Sequence, residues 1–184
     1  MSLVPVDEAV ARLLAGVQPS EPEEIALVDA AGRVLAADLA ARRTQPPFPA
    51  SAMDGYALRA ADAQAGARLA VIGVSRAGAR FPGILKAGQA VRIFTGAPVP
   101  DGADAILIQE NAQRQGDDIL VGAPVSPGRY VRPAGLDFTA GEILLRAGRR
   151  LDSRAVSLAA AMGYASLPVR RRPKVAILAN GDEL

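Results

Sequence analysis

The chain has 184 residues, with 21 Lys and Arg against 19 Asp and Glu, a formal net charge of +2, and 50% hydrophobic residues. That composition describes a soluble globular chain long enough to bury one or two cores. With neither Cys nor His, it excludes disulfides, thiolate nucleophiles, Cys/His zinc sites and imidazole catalysis, so any chemistry falls to carboxylates, hydroxyls, Arg, Lys, Tyr and backbone groups.

In chain order, Val6, Val10, Leu13, Leu14 and Val17 recur at helical spacing, and Asp7 and Glu8 favour a helix N-terminus there. Ile25 to Val28 reads as a short strand, and Ala30 to Leu39 as either a helical turn or a second strand. Thr44 to Ala50, with Pro46, Pro47 and Pro49, reads as a rigid extended connection. Four β-type runs follow, Leu69 to Val74, Ala90 to Phe94, Ala105 to Ile108 and Ile119 to Val121, separated by Gly/Pro turn signals. Short strands so punctuated predict a small barrel or sandwich. Ile143 to Leu145 is strand-like, and Asp152 or Ser153 can cap a helix that Gly163 stops. The basic run Arg170–Arg172 before Pro173 suits a solvated linker. With aromatic residues at 4%, nucleic acid is not an expected partner. Finally, Val175 to Ala179 is a continuous apolar run that suits the first parallel strand of an α/β domain. The expectation is an N-terminal portion of a longer protein, cut inside its next domain. No apolar run reaches the ~18 residues of a membrane-spanning helix. No secretory signal opens the chain either, so it reads as cytoplasmic with no membrane partner.

Two segments carry most of the chemistry. In the first, Pro46 to Leu58, a proline-stiffened lead-in delivers Ser51, Asp54 and Tyr56 close together, with Gly55 allowing a turn beside the carboxylate. Such a loop suits a metal or an oxyanion-bearing ligand, or is simply an Asp-Gly turn over packed Phe48, Met53 and Tyr56. In the second, Arg92 to Gly102, a strand ends in Thr95 and Gly96. Thr95 offers a hydroxyl, and Gly96 would let a ligand approach the backbone N–H groups; the alternative is a strand-terminating turn. Asp137, Asp182 and Glu183 are isolated carboxylates.

Taken together, Ser51-Ala52-Met53-Asp54-Gly55-Tyr56-Ala57, Thr95-Gly96-Ala97-Pro98-Val99-Pro100 with Gly102 and Gln109-Glu110, and the closing Gly181-Asp182-Glu183-Leu184 resemble the molybdopterin molybdenumtransferases, the MoeA and gephyrin E-domain family. The resemblance implies an α+β, mainly β chain. Residues 4–41 would be an elongated N-terminal segment, 42–131 an inserted β-barrel-like domain, and 132–172 the returning part of the elongated segment. Residues 173–184 would begin a truncated molybdopterin-binding α/β domain. It implies insertion of molybdenum from molybdate into adenylylated molybdopterin, with Mg2+ and release of AMP. It also implies a homodimer and a possible encounter with the upstream molybdopterin adenylyltransferase. By motif position, Asp54, Thr95, Glu183 and Asp137 take catalytic roles. Ser51, Gly55, Tyr56, Gly96, Arg132 and Asp182 take substrate-binding ones, and the metal ligands are unassigned. Asp137 departs most from the family pattern, since Arg132 is kept upstream but the neighbouring Glu is not. The alternative is a non-catalytic dimeric anchoring module of the gephyrin type.

Overall fold

The structure, a computed structural model, describes residues 4–177. In chain order the elements begin with helix α1 (Val6–Leu14) and strands β1 (Pro22–Ala26), β2 (Leu39–Ala40) and β3 (Ala50–Ser51). Strands β4 (Gly55–Leu58), β5 (Arg68–Ser75), β6 (Gln89–Ile93), β7 (Ala105–Ile108), β8 (Ala112–Gln115) and β9 (Asp118–Val121) follow. The series closes with β10 (Val131–Arg132), β11 (Ile143–Leu145), helix α2 (Ser153–Met162) and β12 (Ser166–Arg170). The chain is mainly β, and it divides into two compact units: Met1–Arg42 with Ile143–Leu184, and Arg43–Glu142.

The second unit is built on a mixed sheet of order β7-β4-β6-β5-β9-β8, in which only β5 and β6 run parallel. Its end strands β7 and β8 do not pair with each other, so the sheet is a curled, open half-barrel rather than a closed barrel. Alternation along the strands sorts the core into two faces. Tyr56, Leu58, Leu69, Leu107 and Ile119 pack on one side, and Ala57, Ile93, Val99 and Ile106 on the other. Strand β4 lies between β6 and β7 and is buried along its whole length. Full burial of Leu58, Ile106 and Leu107 contributes about 1.5–3 kcal/mol per side chain.

This unit ends at Glu142 rather than near Val131. Strand β10 pairs with β3, and the Gln45 carbonyl accepts from the Asp137 and Phe138 N–H groups at 3.0 and 3.3 Å. Residues 132–142 therefore pack with the β unit, and the returning segment begins at Ile143.

In the first unit β1 pairs antiparallel with β12, and β2 with β11. Strand β1 starts earlier than expected, at Pro22, and stops at Ala26 because Leu27–Asp29 closes into a 3₁₀ turn. Residues 30–38 form no helix or regular strand, only the isolated bridges Val34 to Arg150 and Leu35 to Val169. Helix α2 is capped as expected: Asp152 Oδ1 accepts from the Ala155 N–H at 2.7 Å, and Gly163 ends the helix at φ 98°. It buries Ala155, Ala159 and Met162, whereas α1 buries no residue. Val175 to Ile177 form no strand; the rest of the expected parallel strand, with Asp182 and Glu183, lies outside the described residues. Among the described residues no helix is long and apolar enough to cross a membrane.

Candidate functional site

The loop from β3 to β4 is held from below before it presents anything. Ser51 is fully buried, its hydroxyl donates to the Met53 carbonyl at 2.6 Å, and its N–H donates to the Ala97 carbonyl at 3.0 Å. The Gly96 N–H returns to the Ser51 carbonyl at 2.8 Å, and the Ala52 N–H donates to the Tyr130 carbonyl at 2.9 Å. Ser51 thus ties the loop down and has no open hydroxyl. Gly55 follows where the chain enters β4, and a Cβ there would lie 2.0 Å from the Leu107 carbonyl oxygen. Only glycine lets β4 approach β7 so closely, so this residue is a packing requirement.

Asp54 stands half-buried on this platform, and pairing of Gly55 with Ile93 brings it beside the end of β6. Its Oδ1 accepts from the Thr95 N–H at 2.7 Å and from the Thr95 hydroxyl at 2.8 Å. The Thr95 N–H and then the Thr95 hydroxyl hold the carboxyl below its usual 3.8, against an opposing effect of burial and with the Arg92 charge as the smallest contribution. The Asp54 carbonyl accepts from the Gln109 N–H at 3.1 Å. The acid is therefore ionised and fixed, and among the described residues Oδ2 accepts no hydrogen bond.

The second segment behaves differently from the expected set of open backbone donors. Thr95 gives its N–H to Asp54, Gly96 to Ser51, and Ala97 to the Phe94 carbonyl at 2.9 Å. Each donor is already committed within the turn, so Gly96, at φ 80°, serves the backbone geometry. Tyr56 is buried in the sheet core with the Arg92 guanidinium 5.2 Å above its ring. Its ring packs rather than faces solvent.

Asp137 is exposed and ion-paired with Arg132, whose Nη2 lies 3.1 and 3.3 Å from the two carboxylate oxygens. Arg132 belongs to β10, so this pair hangs from the strand beside β3, which leads into the Asp54 loop. Two residues quoted within the sequence segments were given no role there: Arg92, which donates to the Gly55 carbonyl and to Gln109 Oε1, each at 2.8 Å, and Gln109 itself. The available signal was a lone arginine inside an otherwise apolar strand.

A groove of about 490 Å³ beside Phe48, Pro49, Arg80, Pro98, Asp101 and Ala134 includes neither Asp54 nor Thr95. The acid–hydroxyl pair sits on an open surface. Among the described residues no three Asp or Glu side chains converge as a metal site. Mg2+ is commonly held by one or two carboxylates, with waters and substrate phosphates filling the rest of its octahedron. Among the described residues, Asp54 Oδ2 is the one oxygen of this pair open to such a role, and there is no all-protein cage.

Fold and site define a mainly β, two-unit chain that bears a fixed acid–hydroxyl pair on an open sheet. The chain belongs to the MoeA N-terminal region family (domain I and II), whose model matches residues 4–163. It is 35% identical over 184 residues to the molybdopterin molybdenumtransferase of Haemophilus influenzae, covering 99% of this chain and 46% of that protein. It is 38% identical over 190 residues to the Bacillus subtilis protein of the same name, covering 98% and 44%. A crystal structure of the molybdopterin biosynthesis moeA protein from Pyrococcus horikoshii superposes with a TM-score of 0.87 at 37% identity, covering 94% of this chain and 47% of that one. The chain spans about half the length of the relatives it matches.

Proposed function

We propose that the chain is the N-terminal half of a cytoplasmic molybdopterin molybdenumtransferase. That enzyme inserts molybdenum from molybdate into adenylylated molybdopterin and releases AMP. The observation that carries the reading is Asp54 held by both donors of Thr95, at 2.7 and 2.8 Å, on an open surface. A carboxylate with a lowered pKa is a poor proton shuttle near neutrality but a good fixed acceptor. Asp54 orients an N–H or O–H group of the adenylylated substrate through Oδ2, while Thr95 fixes its other oxygen. Arg132, oriented by Asp137, supplies positive charge for the oxygens of molybdate or phosphate. Glu183 and Asp182 act, by resemblance, from the α/β region that follows. Mg2+ belongs to the family's reaction, and since the described residues do not complete a shell for it, no role here passes through it.

The proposed enzyme is a homodimer. Helix α1 leaves Val6 and Leu13 each 77% exposed and buries nothing, and an unpartnered apolar stripe on so small a unit favours a second copy. The upstream adenylyltransferase, which delivers the adenylylated substrate, is the further partner in this reading. The test uses the full-length protein, which is expected to sediment as a dimer and to convert adenylylated molybdopterin and molybdate to molybdenum cofactor with AMP release. The 184-residue chain alone is expected to be inactive. A monomer at tens of micromolar contradicts the dimer, and a full-length protein that releases no AMP contradicts the activity.

A further inference from the structure

Arg92 lies near the end of β6, directly across from Tyr56 of β4 in the antiparallel register. Among the described residues it joins no ion pair with a carboxylate, unlike Arg33, Arg80 or Arg132. Its guanidinium instead spans two neutral acceptors, the Gly55 carbonyl through Nη1 and Gln109 Oε1 through Nη2, both at 2.8 Å. The planar group is also braced between rings, 5.2 Å from the centroid of Tyr56 and 4.8 Å from that of Phe94. Both acceptors adjoin Asp54. Gly55 is the next residue, and Gln109 donates its own N–H to the Asp54 carbonyl at 3.1 Å. The carbonyl of the residue after the acid and the residue that caps the acid's own carbonyl are therefore clamped by one side chain.

We propose that Arg92 is a positioning residue, which fixes the Gly55 carbonyl just after the acid and Gln109 so that the Asp54 carboxylate meets Thr95 in one orientation. The inference rests on the reading of Asp54 as the reactive acid, and adds to it what holds that acid. An arginine that merely packed would need only the rings. This one directs two hydrogen bonds to the two residues that border Asp54, and leaves its positive charge uncancelled beside the carboxylate. Lysine is not equivalent. Its ammonium is a point donor that keeps the charge but does not span both acceptors or stack as a plane.

The experiment is amide hydrogen exchange and carboxyl titration by NMR on the 184-residue chain itself, comparing wild type with Arg92→Gln and Arg92→Lys. Arg92→Gln is expected to lower protection of the Thr95 amide about tenfold relative to the β8–β9 amides, and to raise the Asp54 titration toward the ordinary carboxylate value. Arg92→Lys is expected to restore most of the titration but not the Thr95 protection. If Arg92→Gln loosens the sheet uniformly, or leaves Asp54 and Thr95 as in wild type, Arg92 only packs and the proposal is overturned. Should Arg92→Gln not fold, Arg92→Lys decides alone: wild-type Thr95 protection overturns the proposal, and selective loss supports it. Because these readouts need no reaction, they separate failure of the clamp from failure of the enzymatic reading, which the full-length assay tests.

Discussion

Asp54 follows strand β3 and Asp137 follows its partner β10, yet the molecule treats the two acids differently. Asp54 is set by a buried serine beneath it, a glycine that admits no side chain, and two donors from a residue 41 positions away. Asp137 is exposed, and among the described residues its carboxylate meets only Arg132, five positions away, in an ion pair whose partners are each nearly half exposed. Exposed pairs of that kind contribute little, commonly below about 1 kcal/mol. A carboxylate that many elements cooperate to orient costs conformational freedom to build, whereas one that salt and water can satisfy costs almost nothing. The contrast marks Asp54 as the constructed group and Asp137 as an accessory one.

The largest expected effect comes from the platform. Gly55→Ala puts a methyl group 2.0 Å from the Leu107 carbonyl oxygen, against the backbone of the neighbouring end strand β7. It is expected to destabilise the β unit by about 3 kcal/mol or more, read as a lower denaturation midpoint with an unchanged slope. An unchanged midpoint would mean that β4 and β7 are not so closely packed. A smaller effect comes from Thr95→Val, which removes the hydroxyl donor but keeps the N–H. The sign follows from the depressed folded pKa. Stability from the Asp54 carboxylate is present above its unfolded value and is lost as pH falls through the lower folded value. Thr95→Val narrows that window, so the Asp54 carboxyl is expected to titrate higher than in wild type but still below 3.8. A titration identical to wild type would show that the hydroxyl bond is not formed in solution.

The sheet was legible where strands are buried and hidden where they are not. Val91 and Ile93 in β6, and Ile106 and Leu107 in β7, are apolar because both faces are covered. Strand β8, Ala-Gln-Arg-Gln, lies at an open edge and is mostly exposed, so its polar sequence gives no strand signal. Strand β4 was hidden by its first residue, because Asp54-Gly55 reads as a turn while Gly55 is in fact demanded by the Leu107 carbonyl. Pro168 concealed β12, which pairs along its length with β1 and meets only the irregular 34–36 segment on its other side. At the site, Asp54 and Thr95 could be named from their segments, but their contact is a product of β4–β6 register that one-dimensional spacing does not contain. The same register hid Arg92, since an isolated arginine reads as solvated until Tyr56, Phe94, Gly55 and Gln109 are seen around it. The backbone donors near Gly96 were over-read for the opposite reason: a turn that looks open in sequence satisfies its own N–H groups in space.

The comparison between the two acids is tested most directly by one ratio, the molybdenum-insertion rates of Asp54→Asn and Asp137→Asn in the full-length protein, with folding matched by denaturation midpoint. Asn keeps the shape of each side chain and removes its charge. The account predicts that Asp54→Asn lowers the rate about 100-fold or more, the scale of losing one preorganised electrostatic contact. It predicts that Asp137→Asn lowers the rate about tenfold or less, as befits an exposed pair acting through Arg132. Insertion at the wild-type rate by Asp54→Asn, or a larger loss from Asp137→Asn, would contradict it.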